Sequence, residues 1–244
     1  MFSSSSRSAA RRRLGAAART LPLALVALAA AACHDDSTSP TSPTPVASSL
    51  TMVSGNAQSD TVAATLPSAL VVQVKDQNGA AMANVAVTWT VSSGGGTLAN
   101  ASGVTDAAGQ ASASWTLGTT AGTDTVTASV SGLASVVFVA TATAGAAAKL
   151  AIVSGDGQTA ASGAALANPL IVRATDQYGN AVSGATVTWT AAADGVLASA
   201  TTTTDASGLA STAFTFGPTT GAQTVTATLA AASPVSVTFT ETAS

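Results

Sequence analysis

The second half of this chain repeats its first at a spacing of one hundred residues. Leu50-Thr51-Met52-Val53-Ser54-Gly55 returns as Leu150-Ala151-Ile152-Val153-Ser154-Gly155, and Asp76-Gln77-Asn78-Gly79 as Asp176-Gln177-Tyr178-Gly179. Val87-Thr88-Trp89-Thr90 returns as Val187-Thr188-Trp189-Thr190. Past the Trp the offset drops by one, so that Thr105-Asp106 meets Thr204-Asp205 and Val126-Thr127-Ala128 meets Val225-Thr226-Ala227. A fixed period broken by one single-residue slip, placed in a loop, marks two copies of one independently folding unit.

Each copy reads as short strands of period two. Val85, Val87, Trp89 and Val91 alternate with Ala86, Thr88 and Thr90; Val187, Trp189 and Ala191 alternate with Thr186, Thr188 and Thr190. Such strands bury one face and leave the other to small polar side chains. Turn signals punctuate them at Asp76–Gly79, Gly94–Gly96, Asp106–Gly109 and Gly118–Gly122. Short strands with turns every 8–12 residues predict an all-β fold: two tandem immunoglobulin-like antiparallel β-sandwiches. The single cysteine, Cys33, allows no disulfide within either. The expected boundaries are 49–143 for the first sandwich, 144–148 for a short connection and 149–244 for the second. Apolar packing alone must hold each one, with Trp89 and Trp115 as the largest core side chains of the first, and Trp189 and Phe214 of the second.

Residues 1–33 read as a leader. Arg7, Arg11, Arg12, Arg13 and Arg19 precede an apolar run, Leu21–Ala32, too short for the roughly 20 residues of a membrane span but suited to a secretory signal. Leu28-Ala29-Ala30-Ala31-Ala32-Cys33 resembles a bacterial lipoprotein signal, although Ala30 stands where that family usually has Leu or Val. The resemblance implies acylation of Cys33, a membrane partner through that lipid, and, since His34 rather than Asp follows the Cys, the outer membrane and cell surface. An ordinary signal peptide cut after Ala-x-Ala is the other reading. Residues 34–48, rich in Ser, Thr and Pro, read as a solvated, disordered tether. With the leader gone, Lys75, Lys149 and Arg173 face eleven acidic residues, a net charge near −8. That argues against nucleic acid as a partner, which needs clustered Lys and Arg.

The order of motifs in the repeats resembles the bacterial Ig-like domains of the invasin and intimin surface proteins. In the second copy these are Asp176-Gln177-Tyr178-Gly179-Asn180, Val187-Thr188-Trp189, Thr204-Asp205-Ala206-Ser207-Gly208, Thr220-Gly221 and Val225-Thr226-Ala227. The resemblance covers both repeats and implies rod-like stalks that sometimes carry adhesive surfaces. The chain departs from invasin and intimin in showing neither their outer-membrane barrel nor, after the second repeat, their lectin-like tip.

Catalytic chemistry has little to draw on. There is no His after His34, no Cys after Cys33, and one Glu, Glu241, expected to lie at a frayed C-terminus. General acid–base or nucleophilic catalysis needs a base poised beside a nucleophile, so no enzyme and no cofactor are expected. Asp76, Asp106, Asp176 and Asp205 each open an Asp-x-x-Gly turn, where a carboxylate accepts nearby backbone N–H bonds; turn chemistry explains them better than calcium. Tyr178 is expected in an exposed turn that faces the 144–148 connection and the base of the first sandwich, as an interdomain contact. The expectation is a monomeric spacer or adhesion module, with a surface protein or glycan as ligand in the alternative reading.

Overall fold

The computed structural model describes residues 43–192, 194–231 and 233–244. The expected leader, Cys33 and most of the 34–48 tether lie outside the described residues. Residues 44–244 contain β-strands and turns and, among the described residues, no helix. In the first domain the strands are β1 (Ala47–Ser54), β2 (Gln58–Thr61), β3 (Leu70–Asp76), β4 (Ala86–Ser93), β5 (Thr97–Ala99), β6 (Ser102–Val104), β7 (Gln110–Thr116), β8 (Gly122–Ser129) and β9 (Val136–Thr143). One sheet runs β1-β3-β7-β5 and the facing sheet β2-β9-β8-β4-β6. β1 begins at Ala47, ahead of the boundary at 49, and Val46 N already donates to Gln77 Oε1 at 2.8 Å.

The second domain repeats the plan with β10 (Lys149–Ser154), β11 (Thr159–Ala160), β12 (Leu170–Thr175), β13 (Thr186–Ala191), β14 (Val196–Leu197), β15 (Thr201–Thr203), β16 (Leu209–Thr212), β17 (Phe214–Thr215), β18 (Gly221–Leu229) and β19 (Val235–Ala243). Its sheets run β10-β12-β16 and β11-β19-β18-β13-β15, with β14 and β17 as a separate pair. Pairing is antiparallel except where β2 lies parallel to β9 and β11 parallel to β19.

That parallel pair explains the motif on which the repeat opens. After β1 the chain must leave one sheet and join the other, and Gly55 makes the corner at φ +92°, where a Cβ would lie 2.2 Å from Ala69 O. Only glycine takes such a corner without strain. Gln58 then fastens it: its Nε2 donates to Gly55 O and Ser68 O, and its Oε1 accepts from Ser68 N. Gly155 and Gln158 do the same against Asn168.

The two cores share no residue. In the first, Leu70, Val72 and Val74 of β3 face Val87 and Trp89 of β4, and Trp89 packs on Phe138 of β9 with ring centroids 5.6 Å apart. In the second, Trp189 packs on Phe239 at 6.0 Å, and Phe214 meets Phe216 edge-on at 5.4 Å. Trp89, Trp115, Trp189 and Phe214 are all buried. Aromatic pairs in such tilted arrangements add roughly 0.5–1.5 kcal/mol beyond the area they bury.

Glu241 corrects the expectation of a frayed C-terminus. It lies inside β19 at 0% exposure, because β19 pairs with β18 along its whole length, to Ala243.

Candidate functional site

The Asp-x-x-Gly turns are built as their sequence suggests. Asp76 Oδ1 accepts from the N–H groups of Asn78 and Ala80, Asp106 Oδ1 from Ala108 and Gln110, and Asp205 Oδ1 from Ser207 and Leu209, all at 2.8–2.9 Å. The Thr before each second-turn Asp is buried and ties two loops together: Thr105 Oγ1 donates to Met82 O and accepts from Val85 N. Thr204 does likewise with Val182 and Ala185. Among the described residues no group of three His, Cys, Asp or Glu side chains is placed to hold a metal ion.

Asp176 does more than its counterpart Asp76. Its Oδ1 closes the turn through Tyr178 N and Asn180 N, while its Oδ2 accepts from Gly145 N in the connection at 3.0 Å and from Asn180 Nδ2 at 2.8 Å. The Asn180 amide in turn reaches the first domain: Nδ2 donates to Thr119 O and Oδ1 accepts from Ala121 N, both at 2.9 Å. Burial alone would raise the Asp176 pKa; the bonds from Asn180, Gly145 and Tyr178 outweigh it and hold the carboxyl below its ordinary value. The carboxylate is therefore charged while it organises the junction.

Tyr178 stands beside this clasp. It is 45% exposed and lines a cleft of about 510 Å³ with the connection residues Gly145–Ala148 and with Thr61 and Val62 of the first domain. The polar contact across the junction belongs to Asn180, which sequence reasoning missed. Its one signal was a mismatch between repeats: the position equivalent to Asn180 is Ala80, in the domain that has no sandwich before it within this sequence.

Two further carboxyl groups are buried. Asp124 of β8 has one oxygen near Gly118 N at 3.4 Å and the other without a partner. Glu241 accepts from Gln158 N at 2.6 Å through Oε2, and its Oε1 has no partner. Burial pushes both pKa values up; for Glu241 the nearby Asp156 carboxylate adds repulsion. The hydrogen bonds of both come from backbone N–H groups. What these residues build between the repeats is a structural junction.

Two disulfide-free Ig-type sandwiches in tandem, each opening on a glycine corner and centred on a β-strand Trp, define a β-sandwich protein of repeated Ig-like type. The chain belongs to the bacterial Ig-like domain (group 1) family, which matches residues 47–144 and 149–240. This is a family of Ig-like domains, not a catalytic one. Comparison with curated proteins found no match. Among solved structures, the Escherichia coli adhesin FdeC is 22% identical with a TM-score of 0.52, over 78% of this chain and 62% of that one. Yersinia pseudotuberculosis InvD is 19% identical with a TM-score of 0.50, over 80% and 57%. The D0-D1 domain of intimin is 21% identical with a TM-score of 0.34, over 80% and 98%. The first two likenesses show a shared fold.

Proposed function

We propose that this chain is a non-catalytic cell-surface module of adhesion type. It crosses the inner membrane on its leader, is held to the envelope by lipid on Cys33, and carries its two Ig-like domains outward on the 34–48 segment. Its work is to position: the second domain, or whatever follows it, is presented at a set distance and angle from the membrane. The observation that carries this reading is the Asn180 clasp. An amide that bonds both ways to the first domain stands in the second repeat where the first repeat has Ala80, which is what a sequence shaped for a fixed angle at this junction would show. Freely jointed domains have no need of it. That the E. coli protein FdeC is an adhesin agrees with a surface role for the same fold.

The test is display on living cells. A specific protease site placed between His34 and Pro43 should be cut when the protease is added to intact cells, releasing a fragment that contains both domains into the medium. If the site is protected until the envelope is broken, the surface reading fails and a periplasmic scaffold replaces it.

A further inference from the structure

We infer that the first domain carries a binding cleft for a neutral saccharide, built around the indole N–H of Trp89. The argument begins where the two repeats differ. In the second domain Trp189 Nε1 donates to Thr202 Oγ1 at 2.8 Å, across from β13 to β15. Thr202 is the cross-strand partner of Val187, and in the first domain the partner of Val87 is Gly103. The hydroxyl that satisfies Trp189 is therefore missing from the first domain, and among the described residues the Trp89 N–H has no hydrogen-bond partner. Trp89 is only 4% exposed. Its Nε1 is not among the buried side-chain atoms without a partner, so that small exposure includes the N–H, which opens onto solvent and can donate to a molecule lodged beside it.

The space left by the missing side chain is open. A Cβ at Gly103 would meet nothing within 4 Å, and Trp89 and Gly103 line a cleft of about 330 Å³ with Asn100, Ser102, Gln110 and Ser112. That volume lies at the small end of the range for ligand sites and exceeds one sugar ring. Two other positions change in the same sense. Gln110 stands where the second domain has Leu209, and Asn100 where it has Ser199, whose N–H and carbonyl are both bonded to Thr212. Neither the Asn100 nor the Gln110 side-chain amide bonds to another described residue. An apolar, self-satisfied seam in one repeat has become a polar, uncommitted one in the other.

The lining selects the ligand. Two amides, each donor and acceptor, two Ser hydroxyls and one indole N–H match a molecule dense in hydroxyl groups. No Lys or Arg lines the cleft, and its one ionisable group is Asp106, so a sulfated, phosphorylated or sialylated ligand would meet repulsion without compensation. An extended peptide would need an apolar pocket for its side chains, and beyond the Trp89 ring only Val104 and Ala111 offer apolar surface. The proposal stands apart from the spacer reading: a cleft on the side of the first domain can be occupied whether or not the junction is fixed.

The test follows the three indole N–H signals of the full-length ¹⁵N-labelled protein by NMR, with Trp89 assigned through Trp89→Phe. The probes are neutral oligosaccharides of glucose, galactose, mannose and N-acetylglucosamine, their sialylated and sulfated counterparts, and one extended apolar peptide. A neutral saccharide should shift the Trp89 signal saturably and leave Trp115 and Trp189 in place. Gly103→Thr, which restores the side chain found at Thr202, should weaken that binding about tenfold or more without lowering the melting temperature. Three results would overturn the proposal: no neutral saccharide moves the Trp89 signal, only an anionic probe or the peptide does, or Gly103→Thr binds as tightly as the parent. None of these depends on where the protein sits in the cell, so the display experiment and this one fail separately.

Discussion

Each domain keeps one buried carboxyl group at the same place, on opposite strands. In the first domain Asp124 of β8 lies across from Ala140 of β9; in the second the same pair is Gln223 and Glu241. Gln223 Oε1 and Glu241 Oε1 are both buried without partners, and both are acceptors while Glu241 is ionised. A proton on Glu241 removes the cost of keeping a charge on this buried, half-partnered carboxyl, consistent with a pKa raised by burial and by Asp156. A carboxyl whose folded pKa is raised contributes stability that is fully present below its unfolded value of 4.5 and is lost as pH rises through the folded pKa. The second domain should therefore melt higher at pH 5 than at pH 7. Glu241→Gln, which keeps the acceptor for Gln158 N and removes the titrating charge, should flatten that dependence. It should raise the melting temperature at pH 7 by several degrees, since about 1 kcal/mol corresponds to roughly 4–8 °C in a domain of this size. A melting series from pH 4 to 8 decides it: an unchanged slope in the variant would place the titration elsewhere. Asp176 does not confound this window. Its pKa is lowered, so its contribution is present above its ordinary value of 3.8 and is lost only as pH falls through its still lower folded pKa.

At the level of the strand and turn, the glycine corners separate two kinds of cost. Gly55 and Gly79 both have positive φ, +92° and +80°, yet a Cβ at Gly79 would meet nothing within 4 Å, whereas at Gly55 it would lie 2.2 Å from Ala69 O and 2.8 Å from Leu70 Cα. Gly79→Ala should cost only the left-handed penalty of roughly 1–2 kcal/mol. Gly55→Ala adds a backbone collision in the corner that carries the chain from sheet to sheet. It should cost at least about twice as much, read from chemical denaturation of the first domain; equal costs would mean the corner relaxes. This contrast also marks what could be read from the sequence. The alternation in β4 and β13 gave strands and their buried faces directly, because a strand with one wet face must repeat every two residues. The Ser54-Gly55 and Ser154-Gly155 pair was visible as part of the repeat, but nothing in it announced a parallel partner, since β2 and β11 are only 4 and 2 residues long. Glu241 was misjudged because closeness to a chain end is a poor guide to burial when the last strand pairs along its length. Asn180 and Gly103 were legible only as differences between otherwise equivalent positions.

Across the whole described region, two separate cores meet at a junction held by few bonds, and the balance between these fixes how the protein should come apart. Trp89→Ala removes the largest contact of the first core with Phe138 and should cost roughly 3–5 kcal/mol, a large share of the about 5–15 kcal/mol that a domain of this size has to lose. Nothing in the second core touches that cavity, because no residue belongs to both clusters. The second domain loses at most what the junction gave it. The two Asn180 bonds to Thr119 and Ala121, at about 0.5–1.5 kcal/mol each, bound that at about 1–3 kcal/mol. Calorimetry of Trp89→Ala should therefore show two transitions, an early one for the first domain and a later one for the second, shifted down only slightly from its parent position. Trp189→Ala should reverse the order. Asn180→Ala in either background should remove the residual coupling, so that each domain melts at one temperature whatever the state of the other, and should let the domains tumble independently in ¹⁵N relaxation. If Trp89→Ala instead abolishes both transitions together, the cores are coupled by more than the Asn180 clasp, and the junction is the dominant element of stability.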